Sequence, residues 1–316
     1  MNAAKKESTM SRHFINKIAK RPGNRLAMTS ALALASLAGM NRMASANPVS
    51  LGNGNSLVTI NPISSGTTTQ DGVTTYDVNG VNQIKQQWFW LRVGGSGPGY
   101  DLGSAQLPLT ADVAFSTVGS LTENNYASFT YTGKDLSVTL SYLLSGGTGT
   151  SNQSDLSTSI RITNTGQTTQ TFNEADLSDF TLGQPNATRG VTITDRNTGL
   201  QTSPSGGREE TIVAMQPSEA AAGDFTALEN DLNNGAFPLT NSSSASSSNS
   251  AYAFESDVTL APGSSLVIGT DQELETVAVP EPTSAAALAG LGGIFLMRPR
   301  RRDEDSDPRV AHVAGA

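Results

Sequence analysis

Leu136, Val138, Leu140, Tyr142 and Leu144 alternate with Ser137, Thr139, Ser141 and Leu143. A helix brings side chains back to one face every ~3.6 residues, whereas a strand does so every second residue. The repeat of two therefore demands a strand with one buried and one wet face. Thr158, Ile160 and Ile162 repeat the pattern. Further strands are expected over 56–61, 73–78, 86–93, 111–118, 127–132, 191–195, 211–215 and 251–260, many separated by Gly- and Ser-rich turns. Asn164-Thr165-Gly166-Gln167 reads as a hairpin turn into a strand over 169–172, and Pro262-Gly263 as the turn of a closing strand pair. The expected fold is all-β: an antiparallel β-sandwich, jelly-roll or super-sandwich-like, with one or two short helices and targeting helices at the termini. One helix is expected after Pro217, using Ala220, Ala221, Ala222, Ala227 and Leu228. The Ser-rich run 241–250 reads as a mobile loop.

The formal charge of −8 conceals a division within the 316 residues. Residues 47–276 hold seven Lys/Arg against 22 Asp/Glu, a formal charge of −15. Such a body repels nucleic acid and anionic lipid. Cysteine is absent, which excludes disulfides, thiolate metal sites and cysteine nucleophiles. The two histidines, His13 and His312, lie near the ends, so the body has neither a Ser-His-Asp triad nor an imidazole-bound metal. No cofactor is expected.

The ends read as addresses. Lys17, Lys20, Arg21 and Arg25 precede an apolar run over 26–40, and Ala44-Ser45-Ala46 offers a small-residue cleavage site before Asn47. That order makes 1–46 a secretory signal peptide, cut after Ala46 with Ala44 at the other small position. Residues 47–276 are then the β-sandwich domain.

Two groups inside the body could carry function. Trp88 and Trp90 share one face of a strand, while Phe89, Leu91 and Val93 take the other. They form either an aromatic platform for sugar rings or part of a strand buried on both faces. Glu174, Asp176 and Asp179 follow a strand. They could ligate Ca²⁺, supply two carboxylates for glycoside hydrolysis, or form a solvated acidic loop. The glycine run 94–99 lacks the helix and lysine of a phosphate loop and reads as a turn.

Near the C-terminus, Val279-Pro280-Glu281-Pro282 precedes an apolar stretch over 283–297, then Arg298, Arg300, Arg301 and Arg302. The 15 apolar residues would make a helix of about 22 Å, against a bilayer core of about 30 Å. This favours transient membrane insertion over a permanent anchor, with the arginines held at the cytoplasmic face. The segment 277–302 resembles the PEP-CTERM sorting signal. That resemblance implies export, recognition by an exosortase-type membrane peptidase, and delivery to the surface of a polysaccharide-producing bacterium. Members usually end soon after the arginines; here an acidic tail, 303–316, follows. The stretches 86–94, 161–166 and 177–180 resemble β-domains of such proteins, a group without an established activity. The stretch 161–166 also resembles sugar-mutarotase-like sandwiches, which catalyse with a histidine that this body lacks. The expectation is an exported surface or extracellular-matrix protein with a non-enzymatic structural or interaction role, its partners including exopolysaccharide but no nucleic acid. The alternatives are a carbohydrate-binding or carboxylate-dependent carbohydrate-active protein, and a calcium-dependent adhesin.

Overall fold

The computed structural model describes residues 48–63, 71–95, 97–115 and 124–277. The expected signal peptide with its expected cleavage residues Ala44, Ala46 and Asn47, the expected sorting residues Val279, Pro280, Glu281, Pro282, Arg298, Arg300, Arg301 and Arg302, and the tail lie outside them. Among the described residues no helix is long and apolar enough to cross a membrane.

In chain order β1 (Val49–Asn53), β2 (Ser56–Asn61), β3 (Gly72–Val78), β4 (Val81–Asn82), β5 (Ile84–Val93) and β6 (Tyr100–Asp101) come first. They are followed by β7 (Leu109–Phe115), β8 (Tyr126–Gly133), β9 (Leu136–Gly146), β10 (Gln153–Asn164), β11 (Gln170–Phe180) and β12 (Arg189–Thr194). Next are β13 (Thr198–Thr202), β14 (Arg208–Val213), β15 (Glu219–Asp224) and the helix α1 (Phe225–Asn233). The last strands are β16 (Ser244–Ser247), β17 (Ser250–Leu260) and β18 (Ser265–Glu275).

These strands form two antiparallel sheets. Sheet I runs β1-β2-β3-β5-β11-β17-β15, with β4 on β3 and β6 on β5. Sheet II runs β16-β12-β13-β14-β18-β10-β9-β8-β7. Polar side chains bridge the two. The Tyr76 hydroxyl donates to Ser154 Oγ at 2.9 Å, and Gln272 Nε2 to Ser178 Oγ at 3.3 Å. The all-β sandwich expected from the alternation is the fold found.

The sheets differ in what covers their outer faces. Along β9 every second residue is buried from Leu136 to Leu144, the pattern of a sheet packed on one side only. In β5 every residue from Gln86 to Arg92 is buried, and in β11 every residue from Asn173 to Phe180. The centre of sheet I is therefore enclosed on both faces. Phe225, Leu228 and Leu232 of α1 are buried, and α1 contacts β11, β15 and β17.

Two expected hairpins are corrected. β10 pairs with β9 and β18 in sheet II, whereas β11 pairs with β5 and β17 in sheet I. The turn at 164–167 thus carries the chain from one sheet to the other. The Pro262-Gly263 turn does the same between β17 and β18, with Gly263 at φ 73°. Asn164 fastens the two crossings. Its Nδ2 donates to Thr168 O at 2.8 Å and Leu260 O at 2.9 Å, and its Oδ1 accepts from Gly166 N at 2.9 Å. Its backbone also exchanges hydrogen bonds with Gly263 and Ser264.

The expected helix begins later. Ala220, Ala221 and Ala222 belong to β15, paired with β17 and buried. Strand pairing overrides alanine's helix propensity, and the methyls suit an enclosed site. Asp224 caps α1, accepting from Thr226 N at 3.0 Å and Ala227 N at 3.2 Å. The Ser-rich 241–250 run is also corrected. Its residues Ser244–Ser247 form β16 against β12, and Ser242 exchanges backbone bonds with Ala220 and Ala222. Short side chains leave its backbone free to complete a sheet edge.

Candidate functional site

Trp88 is 1% exposed and Trp90 3%, so the rings are core rather than a platform. Trp88 Nε1 donates to Leu102 O at 3.2 Å, and Trp90 Nε1 to Asn233 Oδ1 of α1 at 2.8 Å. The polar edges are spent on internal partners, as buried indoles require.

Glu174, Asp176 and Asp179 stand on β11, a central strand, and are not a solvated loop. Alternation splits them. Glu174 and Asp176 face sheet II, whereas Asp179 faces away. Asp179 pairs with the fully buried Arg189 at 3.0 Å, and Lys85 stands 3.7 Å from its other oxygen. Arg189 Nη1 also donates to the carbonyls of Gln184, Pro185 and Ala187 at 3.3–3.4 Å. Among the described residues no three of His, Cys, Asp and Glu come together as a metal-holding group.

Between the sheets a third carboxyl joins Glu174 and Asp176. Glu209 of β14 accepts from Tyr252 OH of β17 at 3.0 Å on both oxygens, and from the Thr211 hydroxyl. Asp176 accepts from Gln87 Nε2 at 3.2 Å and from Ser178 Oγ at 3.4 Å. Among the described residues none of these three carboxyls has a basic partner within ion-pair distance. Burial pushes Asp176 up to about 7 and Glu209 up to about 8, and raises Glu174 well above the usual range, with Asp176 and Glu255 adding to it.

In a different carboxyl pair Asp257 reaches the surface and Glu255 is buried behind it. On the outer face of sheet I, Arg92 Nε and Nη2 grip Asn173 Oδ1 at 2.9 and 2.8 Å, and Nη1 donates to Phe237 O at 3.1 Å. This fixes the Asn173 amide so that Nδ2 donates to Glu255 Oε1 at 3.4 Å and to the Asp257 carboxylate. Leu239 N donates to Glu255 Oε2 at 2.6 Å. Burial first, then the neighbouring Asp257, pushes Glu255 up to about 7, against the Leu239 N–H that lowers it. Asp257 is exposed. A carboxyl half-protonated at neutrality beside a solvent-exposed one is a candidate acid–base pair. The sequence reading missed it. The available signal was Glu255-x-Asp257 at period two within a long apolar strand.

The outer face of sheet II is open. Across β8, β9, β10 and β18, one row holds Thr132, Ser137, Thr163 and Ser265; the next Thr130, Thr139, Arg161 and Val267; the third Ser128, Ser141, Ser159 and Gly269. All of these are partly or fully exposed. Neighbouring hydroxyls bond in pairs: Ser128 with Ser141 at 3.0 Å, Thr163 with Ser265 at 2.8 Å, Thr110 with Thr132 at 3.0 Å. Strand geometry spaces this array at ~4.8 Å across and roughly 7 Å along the strands. No carboxylate enters these three rows; on this face the acids begin in the next row, at Asp271, with Asp155 and Glu273 one row beyond.

No family model matches the chain, and no curated protein matches it. Solved structures do. A bacterial glucoamylase complexed with acarbose aligns with a TM-score of 0.51 at 12% identity, over 80% of this chain and 36% of the enzyme. The chain thus spans about a third of that protein's length. A galactose mutarotase-like protein from Lactobacillus casei aligns with a TM-score of 0.42 at 8% identity, over 72% of this chain and 100% of the other. A polysaccharide lyase aligns at 0.42 and 11% identity, over 72% of this chain and 34% of the lyase. At these identities the glucoamylase match speaks to fold alone: an antiparallel β-sandwich.

Proposed function

We propose that this is an exported, non-enzymatic surface or matrix protein that lies against neutral polysaccharide through the open face of sheet II. The observation that carries it is the carboxylate-free hydroxyl array at Thr130, Thr132, Thr139, Ser141 and Ser159, in a body of formal charge −15. An uncharged polyol gains nothing from a charged surface but hydrogen-bonds to ordered hydroxyls, and the Thr methyls and Val267 offer apolar contact to sugar faces. The signal peptide and the PEP-CTERM-like tail supply the route, with an exosortase-type peptidase acting on Val279-Pro280-Glu281-Pro282. The test is co-sedimentation of residues 47–276 with insoluble neutral polysaccharide. Thr139→Glu with Ser141→Glu should abolish retention; undiminished retention would sink the proposal. For sorting, deletion of 279–302 should remove the protein from the cell surface, and unchanged surface amount and size would end that part.

A second reading rests on the Glu255/Asp257 pair: carboxylate-dependent chemistry on a carbohydrate, with the exposed Asp257 at the substrate and the buried Glu255 behind it as its proton partner. New reducing ends released from polysaccharide by the protein and lost in Glu255→Gln would favour it; no release by the unmodified protein would exclude it.

A further inference from the structure

Between the sheets, the residues around Asp176 carry oxygen atoms without partners. Gln87 Oε1 and Gln272 Oε1 are unpartnered, and both residues are fully buried. Their nitrogens hold both amides beside the same carboxyl: Gln87 Nε2 bonds Asp176, and Gln272 Nε2 bonds Ser178, whose hydroxyl bonds Asp176. Glu174 Oε1, two residues along the same face, is unpartnered in a residue 2% exposed. Tyr142 OH is also unpartnered and close enough for Asp176 to act on its ionisation. Buried oxygens of this kind are costly when left bare, and buried carboxylates need a counter-charge. No Lys or Arg supplies it among the described residues.

We propose that Glu174 and Asp176, with the amide oxygens of Gln87 and Gln272, form a structural site for one divalent cation of the calcium class. Two carboxylates and one divalent ion sum to zero charge, which a core tolerates. All the donors are oxygens, the set that hard cations take; calcium accepts about six to eight of them in flexible geometry, amide carbonyls included. With only two carboxylates the site depends on the amides, which is why no acidic triad marks it. Ser178, already bonded to Gln272, holds the second amide in place. The ion would join β5 and β11 of sheet I to β18 of sheet II, and it enters as the sheets close, since every donor residue is buried.

The experiment uses the full chain, folded with CaCl2 at pH 8 and gel-filtered into calcium-free buffer, followed by metal analysis. A buried ion leaves only when the sheets part, so one calcium per chain should survive, whereas ions on the acidic surface wash away. Asp176→Asn and Gln272→Leu should each retain none, and Asp231→Asn, an exposed change on α1, should retain the ion. If Asp176→Asn does not fold, Gln272→Leu decides alone. Terbium in place of calcium should show Tyr-sensitised luminescence, tenfold or more above Gln272→Leu. Absence of retained calcium in the unmodified protein, or equal retention in a folded Gln272→Leu, overturns the site and leaves these carboxyls protonated.

Discussion

Glu209 turns the packing of the two sheets into a pH dependence. It lies fully buried on β14, facing the Tyr252 hydroxyl, the Thr211 hydroxyl and, farther off, the carboxyls of Asp176 and Glu210, with no cation. Burial raises it from 4.5 to about 8. A group raised on folding binds its proton more tightly in the folded state. Its stabilising contribution is complete below pH ~4.5 and is lost as pH climbs through about 8. That rise corresponds to about 5 kcal/mol at ~1.4 kcal/mol per unit. Glu209→Gln keeps the shape and the hydrogen-bonding capacity but cannot ionise. Urea unfolding of both proteins in EDTA at pH 4.5, 6, 7 and 8.5 isolates the contribution. Asp176 and Glu174 titrate with the same sign in both proteins, so the difference reports Glu209 together with its coupling to Asp176. The variant should gain about 4 kcal/mol relative to the unmodified chain between the lowest and highest pH. If the two stability curves run parallel across that range, Glu209 is not a neutral acid in the fold and the reasoning fails.

Asn164→Ala removes three side-chain hydrogen bonds at the paired sheet crossings, which at ~1 kcal/mol each should cost about 3 kcal/mol in urea unfolding. A loss below about 1 kcal/mol would mean that the crossings hold without it. Arg189→Met leaves Asp179 charged and unpaired by its main partner and should cost about 3–5 kcal/mol. Adding Asp179→Asn should restore more than half of this in thermal melts, and a purely additive double variant would contradict the pairing. The two tryptophans of the chain are both core, so iodide should leave fluorescence unquenched until unfolding; quenching in the native state would place a ring at the surface.

Much of the fold was legible because strand periodicity is local. The alternation of β9 and β10 marked their buried faces residue by residue, and β2 was found at its observed limits. Pairing is not local. Asn164-Thr165-Gly166 has the composition of a hairpin turn, yet a tight turn and a crossing between sheets present the same Gly and Asn to a reader of sequence. Only the partners of β10 and β11 tell them apart. The alanines of β15 fell to the same limit, since their helix propensity yields to a strand partner some thirty residues away.

The candidate sites divide along the same line. Sequence by itself determined the all-β class, the acidity of the body, the absence of cysteine and histidine chemistry from it, and the approximate limits of its strands, because these depend on composition or on neighbours along the chain. It could also propose that Glu174, Asp176 and Asp179 act together. Tertiary structure decided otherwise, sending Asp179 to Arg189 and Asp176 to Gln87 and Ser178, and setting Glu255 beside Asp257 under Leu239. The reason is burial. Whether a carboxyl is a charged surface group or a neutral core acid depends on which sheet closes over it, and that is fixed by residues far away in the chain.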